Sequence, residues 1–187
     1  MKPHLNDTEK QLLLQIARNA LIEFLTGERR PLPRDLPPTL HEKRGAFVTL
    51  FGRNRALRGC IGRVEGVQTP LYRTVQEMAI AAASRDYRFP LVTAAELPDI
   101  HIEISVLSVP HKIDSPEELE IGRHGIIIRK GGAVGLLLPQ VATDRGWNRA
   151  QFLEAVCQKA HLPPGSWRTA DLFVFESEVF EEGYAAG

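Results

Sequence analysis

Residues 46–61, AFVTLFGRNRALRGCI, decide the fold of this chain. Residues 46–51 are rich in β-branched and aromatic side chains, residues 52–55 have the composition of a turn, and residues 56–61 return as a second β-rich run. Two such runs joined by a short turn predict a β-hairpin.

A helix follows the predicted hairpin, and a strand follows the helix. Thr69 as N-cap and Pro70 at the first helical position open a helix that continues to about Ser84. Residues 100–107 then alternate between apolar and polar side chains, which indicates a strand with one buried face. The order of elements is therefore β-β-α-β.

The second half of the chain repeats this order. The pattern predicts strands over residues 125–129 and 134–138, a helix over 148–160 and a strand over 172–180. The two sets are offset by roughly eighty residues, which is consistent with an internal β-β-α-β duplication. We expect an α+β fold with two lobes, in which helices pack on a mostly antiparallel, curved sheet.

An N-terminal helix precedes the first hairpin. Apolar residues recur at helical spacing from about Asp7 to Leu25, Thr8 with Gln11 has the form of a capping box, and Gly27 is the expected end. The predicted buried stripe of this helix includes Leu13, Ile16, Ala17, Ala20, Leu21 and Phe24. Four prolines between residues 31 and 38 predict an extended connection after it.

The length of the chain favours a single domain over residues 1–187, with two sub-lobes. Hydrophobic residues make up 43% of the chain, and 23 basic residues balance 23 acidic ones, so no global field draws it to nucleic acid or an anionic membrane. No apolar run approaches membrane-spanning length, and the start has no apolar signal core. We therefore expect a cytoplasmic protein whose two thiols, Cys60 and Cys157, are reduced.

The second strand of the hairpin is the place to look for chemistry. Glycine weakens a strand unless a ligand or another stretch of backbone comes close, and Gly59 and Gly62 stand three residues apart. Alternation places Arg58 and Cys60 on the same face of the strand. A positive neighbour stabilises a thiolate, which is what a cysteine nucleophile requires. The ordinary alternative is that Cys60 is a small buried hydrophobe and Arg58 an ion-pair partner.

Three further residues are candidates beside this strand. Glu103 lies on the polar face of its strand and could pair with Arg58 or orient a base, or it could belong to a solvated face. His124 could act as general base to Cys60, although a lone histidine is more often structural. Arg88, with Arg85 and Asp86, could hold an anionic ligand, or these residues could simply cap a helix.

The residues from Leu57 to Gly62, LRGCIG, resemble the signature of the AMMECR-type domain family, which also provides the A component of the AmmeMemoRadiSam system. The resemblance covers nearly the whole chain. It extends through residues 87–90, 102–107, 124–125, 137–141, 146–147 and 173–176.

This resemblance implies a two-lobed α+β fold in which the signature strand faces a cleft between the lobes. It favours Glu103 as part of the site, next to Gly59 and Gly62, which are ligand-binding candidates because glycine in a strand allows a ligand to come close. It also implies that a Memo-type protein and a radical-SAM protein are partners of the family's members. It supplies no proven reaction.

Two functions remain open from the sequence. One is an enzyme, or an accessory subunit of one, acting on a small molecule or polymer with Cys60 as nucleophile, Arg58 as charge stabiliser, and Glu103 and His124 orienting or deprotonating. The other is a non-catalytic binding or adaptor module for a protein, a peptide or RNA. Phosphate-binding loops and zinc-protease motifs are absent from the sequence, so we expect neither a metal nor another cofactor.

Overall fold

The computed structural model describes residues 5–64 and 68–183. The chain divides into two compact units, which are described separately. Unit 1 comprises Met1–Leu107 with Glu178–Gly187, and unit 2 comprises Ser108–Ser177.

Unit 1 contains two long helices and a three-stranded antiparallel sheet that the last strand of the chain extends. Its elements are α1 Asp7–Thr26, β1 Ala46–Phe51, β2 Leu57–Arg63, α2 Leu71–Ser84 and β3 His101–Leu107. The central strand is β1, which pairs antiparallel with β2 on one side and with β3 on the other. The predicted hairpin and its β-β-α-β continuation are therefore confirmed.

The turn of the hairpin is tight and strained. Asn54 and Arg55 both have positive φ, at 56° and 55°, which few residues other than glycine adopt readily. The Gly52 N–H closes the turn by donating to the Ala56 carbonyl at 2.8 Å. This turn fixes the register in which β2 returns along β1.

The hydrophobic core of unit 1 lies between its helices and one face of the sheet. Alternate residues of β1 and β3 are fully buried there, and α1 and α2 supply the opposite wall. The buried side chains from the strands are Ala46, Val48, Leu50, Ile102, Ile104 and Val106. Because strand side chains alternate, the other face of the same three strands remains available for a different use.

The ends of the helices correct two sequence predictions. The N-cap of α1 is Asn6, which forms a capping box with Glu9, whereas Thr8 and Gln11 were predicted to form it. The helix begins at Asp7, two residues before the first residue of a helix capped by Thr8. In α2 the cap position is Pro70 instead of Thr69. The predicted end of α1 at Gly27 is confirmed by its left-handed φ of 74°.

The prediction that Phe24 of α1 is buried is also wrong. Phe24 lies 47% exposed, whereas the other members of its predicted stripe are buried. In the same last turn of the helix it is Leu25 that packs against the core, so Phe24 lies on the outer side of the turn.

Unit 2 repeats the topology of unit 1. Its elements are β4 His111–Ile113, β5 His124–Lys130, β6 Ala133–Leu137, α3 Pro139–Asp144, α4 Arg149–Lys159 and β7 Asp171–Glu181, of which the last four residues belong to unit 1. Here β5 is central, between β6 and β7, just as β1 lies between β2 and β3. The predicted second β-β-α-β set is therefore present, with β4 and α3 as additions that the sequence pattern did not reveal.

Every strand pairing recorded for residues 5–64 and 68–183 is antiparallel, as the fold prediction requires. Asn148 caps α4 in a capping box with Gln151, and Gly131 and Gly132 turn the second hairpin with φ of 54° and 88°, as predicted. Across these same residues, no helix is long and apolar enough to cross a membrane.

Gly59 provides a test of how closely α2 packs on β2. A Cβ added at this glycine would lie 2.1 Å from the Ala82 carbonyl oxygen, which belongs to helix backbone and cannot move aside alone. We predict that Gly59→Ala lowers the free energy of unfolding by about 3 kcal/mol, as overpacking against backbone does.

Gly52→Ala is the matched control for this prediction. The nearest atom to its added Cβ is 3.9 Å away and its φ of −92° suits alanine, so its effect should stay within about 0.5 kcal/mol. Urea denaturation of both variants measures the difference, and equal losses would show that α2 does not approach β2 as described.

Candidate functional site

The candidate site lies on the face of the unit 1 sheet that turns away from α1 and α2. We call it the site face, defined by Cys60 on β2, Thr49 on β1 and Glu103 on β3. The register pairs Thr49 with Cys60 on one side and with Glu103 on the other, so the three residues form a row across three neighbouring strands. The sequence predicted both Cys60 and Glu103 as site residues, and the sheet brings them onto one surface.

Thr49 connects to the thiol directly. Its hydroxyl donates a hydrogen bond to the Cys60 sulfur at 3.2 Å. Thr49 is only 9% exposed, whereas Cys60 is half-buried and carries a free thiol. This contact holds the Cys60 sulfur in a defined position on the site face.

The distance across the row decides what Glu103 can do. Neighbouring strands lie 4.7–4.9 Å apart, so residues separated by one intervening strand are about 10 Å apart. At this backbone separation, direct removal of the Cys60 proton is not the role that we assign to Glu103. Glu103 can instead act on a second group of a molecule that lies across Thr49.

The environment of Glu103 favours its protonated form. Burial raises the pKa of this carboxyl, the nearby Glu181 carboxylate raises it further, and the positive charges of Arg55 and His101 oppose the shift. Glu181 is itself engaged by Arg55 at 2.9 Å and by the His101 ring at 3.1 Å. Glu103 is thus suited to donate a proton or a hydrogen bond.

Arg58 has a full set of partners away from the thiol. Its guanidinium donates to Glu96 at 2.7 Å and to the carbonyls of Pro90 and Leu91 at 2.7 and 2.9 Å. These bonds tie the connection after α2 to strand β2. The predicted role of Arg58 as a charge stabiliser stays a prediction, whereas the contacts observed are those of a structural ion pair.

Arg88 brings a positive charge to the Cys60 region. Its guanidinium donates two hydrogen bonds to Asp86, at 2.9 and 2.7 Å. Asp86 also accepts the Cys60 backbone N–H at 2.9 Å, on the open edge of β2. The hydrogen bond to Asp86 raises the pKa of Arg88, burial opposes this shift, and the neighbouring Cys60 makes a smaller contribution in the same direction as Asp86.

His124 is placed in unit 2, at the start of β5. It is 7% exposed, and its Nδ1 accepts a hydrogen bond from the Glu120 backbone N–H at 3.2 Å. This bond leaves the proton of a neutral ring on Nε2, so that tautomer has no free acceptor nitrogen. The predicted role of His124 as base to Cys60 stays a prediction.

Different packing contacts explain the two glycines of β2. Gly59 faces α2, where the Ala82 backbone leaves no room for a side chain. Gly62 lies under the ring of Phe47, its partner on β1, and an added Cβ would meet that ring at 2.2 Å. Both positions are thus explained by packing, and their predicted part in ligand binding stays a prediction.

No group of three potential ligand residues, His, Cys, Asp or Glu, gathers closely enough to hold a metal ion within the described part of the chain. The side chains that the site face offers are a thiol, a hydroxyl and a carboxyl. These groups suit proton transfer and nucleophilic attack.

Sequence reasoning missed Thr49 and Glu96. Thr49 was detectable, because it is the only polar residue between Ala46 and Phe51 and alternation puts it on the face away from the core. Glu96 was not detectable, since its pairing with Arg58 depends on a connection that returns to β2 from 38 residues further along the chain.

The units and the site face together define an α+β protein built from two β-β-α-β units, with a candidate thiol site on an edge strand. The chain belongs to the AMMECR1 family, whose model matches residues 14–180. The resemblance recognised in the sequence is therefore confirmed.

The chain is similar to proteins from several organisms. Protein MK0488 of Methanopyrus kandleri is 45% identical over 186 residues, which cover 93% of this chain and 88% of that protein. Protein PF1979 of Pyrococcus furiosus is 43% identical over 195 residues, with 98% and 92% covered. The crystal structure of the uncharacterized protein PH0010 from Pyrococcus horikoshii matches with a TM-score of 0.84 at 40% identity and covers 98% of this chain and 96% of that one.

The raised pKa of Glu103 predicts a pH-dependent effect on stability. A carboxyl whose pKa is higher in the folded than in the unfolded state stabilises the fold at low pH and loses that contribution as pH rises through the folded value. Glu103→Gln should therefore unfold at a higher urea concentration than the wild type at pH 7, and the difference should shrink toward pH 4.

Glu96→Gln is the opposite control. The hydrogen bond from Arg58 lowers the pKa of Glu96 to about 2. The charged carboxylate therefore stabilises the fold at pH values above the ordinary pKa of a glutamate, and this contribution is lost as the pH falls through the folded-state pKa. The variant should be less stable than the wild type at pH 7. If both variants shift stability in the same direction at pH 7, the environment assigned to Glu103 is wrong.

Proposed function

We propose that the protein is an enzyme, or the accessory subunit of one, that acts at the site face with Cys60 as its nucleophile. The observation that carries the proposal is the hydrogen bond from the Thr49 hydroxyl to a half-buried, free thiol. Cys157 differs in its exposure: it is fully buried on α4, and burial raises the pKa of its thiol.

The roles follow from the row of three residues. Cys60 loses its proton to solvent and adds to an electrophilic carbon of the substrate, such as a carbonyl carbon, whose π electrons move to its oxygen, while the Thr49 hydroxyl holds the sulfur in place. Glu103 donates a proton or a hydrogen bond to a different group of the same substrate, about 10 Å away across one intervening strand. A substrate that engages both ends is thus larger than a single functional group.

Two residues predicted from the sequence have smaller parts in this proposal. Arg58 holds the segment after α2 against β2 through its bonds to Glu96, Pro90 and Leu91. His124 is left out of the proton transfer, because its Nδ1 already accepts a hydrogen bond from the backbone. We place the protein in the cytoplasm, where a catalytic thiol remains reduced.

A search for turnover tests the proposal. The purified protein is incubated with a fractionated metabolite extract, and mass spectrometry follows which compounds decrease or gain covalent attachment to the protein. We expect at least one compound to react with the wild type and with Cys157→Ala, and none of these reactions to survive in Cys60→Ser. Glu103→Gln should slow the reaction by about a hundredfold or more, in the range usual for loss of a general acid.

Consumption of the same compound by wild type and Cys60→Ser alike would remove the nucleophilic role. The Cys157→Ala control separates loss of a reactive thiol from loss of any sulfur. Thermal unfolding of each variant shows whether it is folded under the assay conditions.

A second function is favoured by a different observation. The segment after α2 presents Tyr87, which is 96% exposed, and Leu91, which is 66% exposed, on a backbone held firmly by Arg58 and Asp86. Exposed apolar side chains on a rigid segment are typical of a protein-binding surface. In this alternative the protein is an adaptor, and Memo-type and radical-SAM proteins are the partners to test first.

Binding to these two partners can be measured by calorimetry with purified proteins. If the adaptor function is right, Tyr87→Ala should weaken binding by about tenfold or more, as loss of an aromatic anchor does. Phe24→Ala, which removes an exposed aromatic ring from α1, is the matched control and should bind as the wild type does. Equal effects of the two substitutions would count against a surface at Tyr87.

A further inference from the structure

Asp86 joins the backbone of Cys60 to the charge of Arg88. One of its carboxylate oxygens, Oδ2, accepts both the Cys60 N–H at 2.9 Å and an Arg88 Nη2 hydrogen at 2.7 Å. The guanidinium therefore lies no further from the Cys60 backbone nitrogen than the sum of these two lengths. Asp86 itself is buried, so the pair cannot simply swing away into water.

The ion pair stays charged over the range in which a thiol reacts. The side-chain hydrogen bond from Arg88, helped by the backbone N–H groups of Cys60 and Arg88, holds the pKa of Asp86 well below its usual range. The other carboxylate oxygen accepts the Arg88 Nε at 2.9 Å, so the two side chains meet as a two-point fork. Such a fork fixes the direction of the guanidinium as well as its position.

The two bonds to Asp86 leave the Nη1 nitrogen of Arg88 available to a ligand. Nε and Nη2 are spent on Asp86, whereas Nη1 has no hydrogen-bond partner among residues 5–64 and 68–183. The side chain of Arg88 is 47% exposed, while that of Asp86 is 4% exposed. The carboxylate thus faces the protein and the backbone, and the guanidinium faces solvent beside the thiol strand.

Arg58 is less available for this role. Its Nε, one Nη1 hydrogen and both Nη2 hydrogens are bonded to Glu96, Pro90 and Leu91. Only one of its five N–H donors is left for a ligand. Its side chain is 16% exposed, against 47% for Arg88, so Arg88 is the more available cation near Cys60.

We propose that Asp86 is a positioning residue that aims Arg88 at the space beside the Cys60 thiol, so that the site selects substrates with an anionic oxygen close to the carbon that Cys60 attacks. This inference rests on the proposed function and deepens it by naming a substrate class. The carboxylate-bearing electrophile is the simplest member of that class, and the free Nη1 edge of Arg88 is its binding point.

Two small reagents test the inference without any knowledge of the natural substrate. Iodoacetate and iodoacetamide alkylate the same thiolate and differ chiefly in the negative charge of the first. Because both rates scale with the same thiolate fraction, their ratio reports the electrostatic preference beside the sulfur and not the ionisation of the thiol. Mass spectrometry of the peptide that contains Cys60 measures both rates, and Cys60→Ser sets the background.

Arg88→Gln is the main variant. We expect it to lower the iodoacetate-to-iodoacetamide rate ratio by about threefold to tenfold, as loss of one partly exposed charge near the sulfur should. The wild-type ratio should also fall as salt is added, while that of Arg88→Gln should change little. Arg63→Gln is the matched control, because Arg63 lies on β2 but pairs with Glu77 of α2, and it should keep the wild-type ratio.

Asp86→Asn separates positioning from simple charge. If Asp86 acted only as a negative charge, its removal would raise the ratio above that of the wild type. If it holds Arg88 in place, the ratio should fall toward the Arg88→Gln value although a negative charge has been removed. Arg88→Gln keeps the test valid should Asp86→Asn fail to fold, since Arg88 is a surface side chain.

Three results would overturn the inference. They are an unchanged ratio in Arg88→Gln, a raised ratio in Asp86→Asn, and an equal fall in Arg58→Gln, which would move the cation to Arg58. None of these depends on turnover, so the inference can fail while Cys60 remains a nucleophile. Conversely, the charge preference can be present while the search for a Cys60-dependent reaction fails, which would refute the enzyme and leave an anion-selective thiol.

Discussion

The site depends on the register of the central strand β1 against its two neighbours. Thr49 lies opposite Cys60 on one side and opposite Glu103 on the other, and this pairing makes a row out of residues that are far apart in sequence. A shift of one residue in either pairing would turn its neighbour's side chains to the other face, exchanging Cys60 with glycine or Glu103 with isoleucine. The strained turn at Asn54 and Arg55 and the buried apolar face of the strands oppose such a shift.

The same alternation explains how one sheet serves two purposes. Side chains toward α1 and α2 form a continuous apolar core, and the intervening side chains are free to be polar because the core does not need them. Among these polar side chains, the charged form of Glu103 is destabilising, since burial and a neighbouring carboxylate both disfavour its charge. A polar group kept at such a position is more easily explained by chemistry than by stability.

Much of this architecture could be predicted from the sequence, because it rests on local signals. Turn residues, alternation and helix periodicity identified both β-β-α-β sets. The contacts of Arg58 and Arg88 could not be predicted. Arg58 turns to Glu96, and Arg88 reaches Cys60 through Asp86, because a connection far along the chain folds back over the strand edge. Pairings of this kind depend on tertiary structure and leave no periodic trace.

The close approach of α2 to Gly59 has a consequence for variation in related chains. Because the Ala82 carbonyl occupies the space of a Cβ, the helix and the thiol strand behave as a single rigid block, and the helix delivers Asp86 to the strand edge only four residues later. A relative that carries any side chain at this position would have to lift its helix and withdraw the acidic residue from the strand. Loss of that glycine and loss of that acid should therefore occur together in divergent sequences, so the pair can serve as a genetic marker of whether a distant member has kept the arrangement.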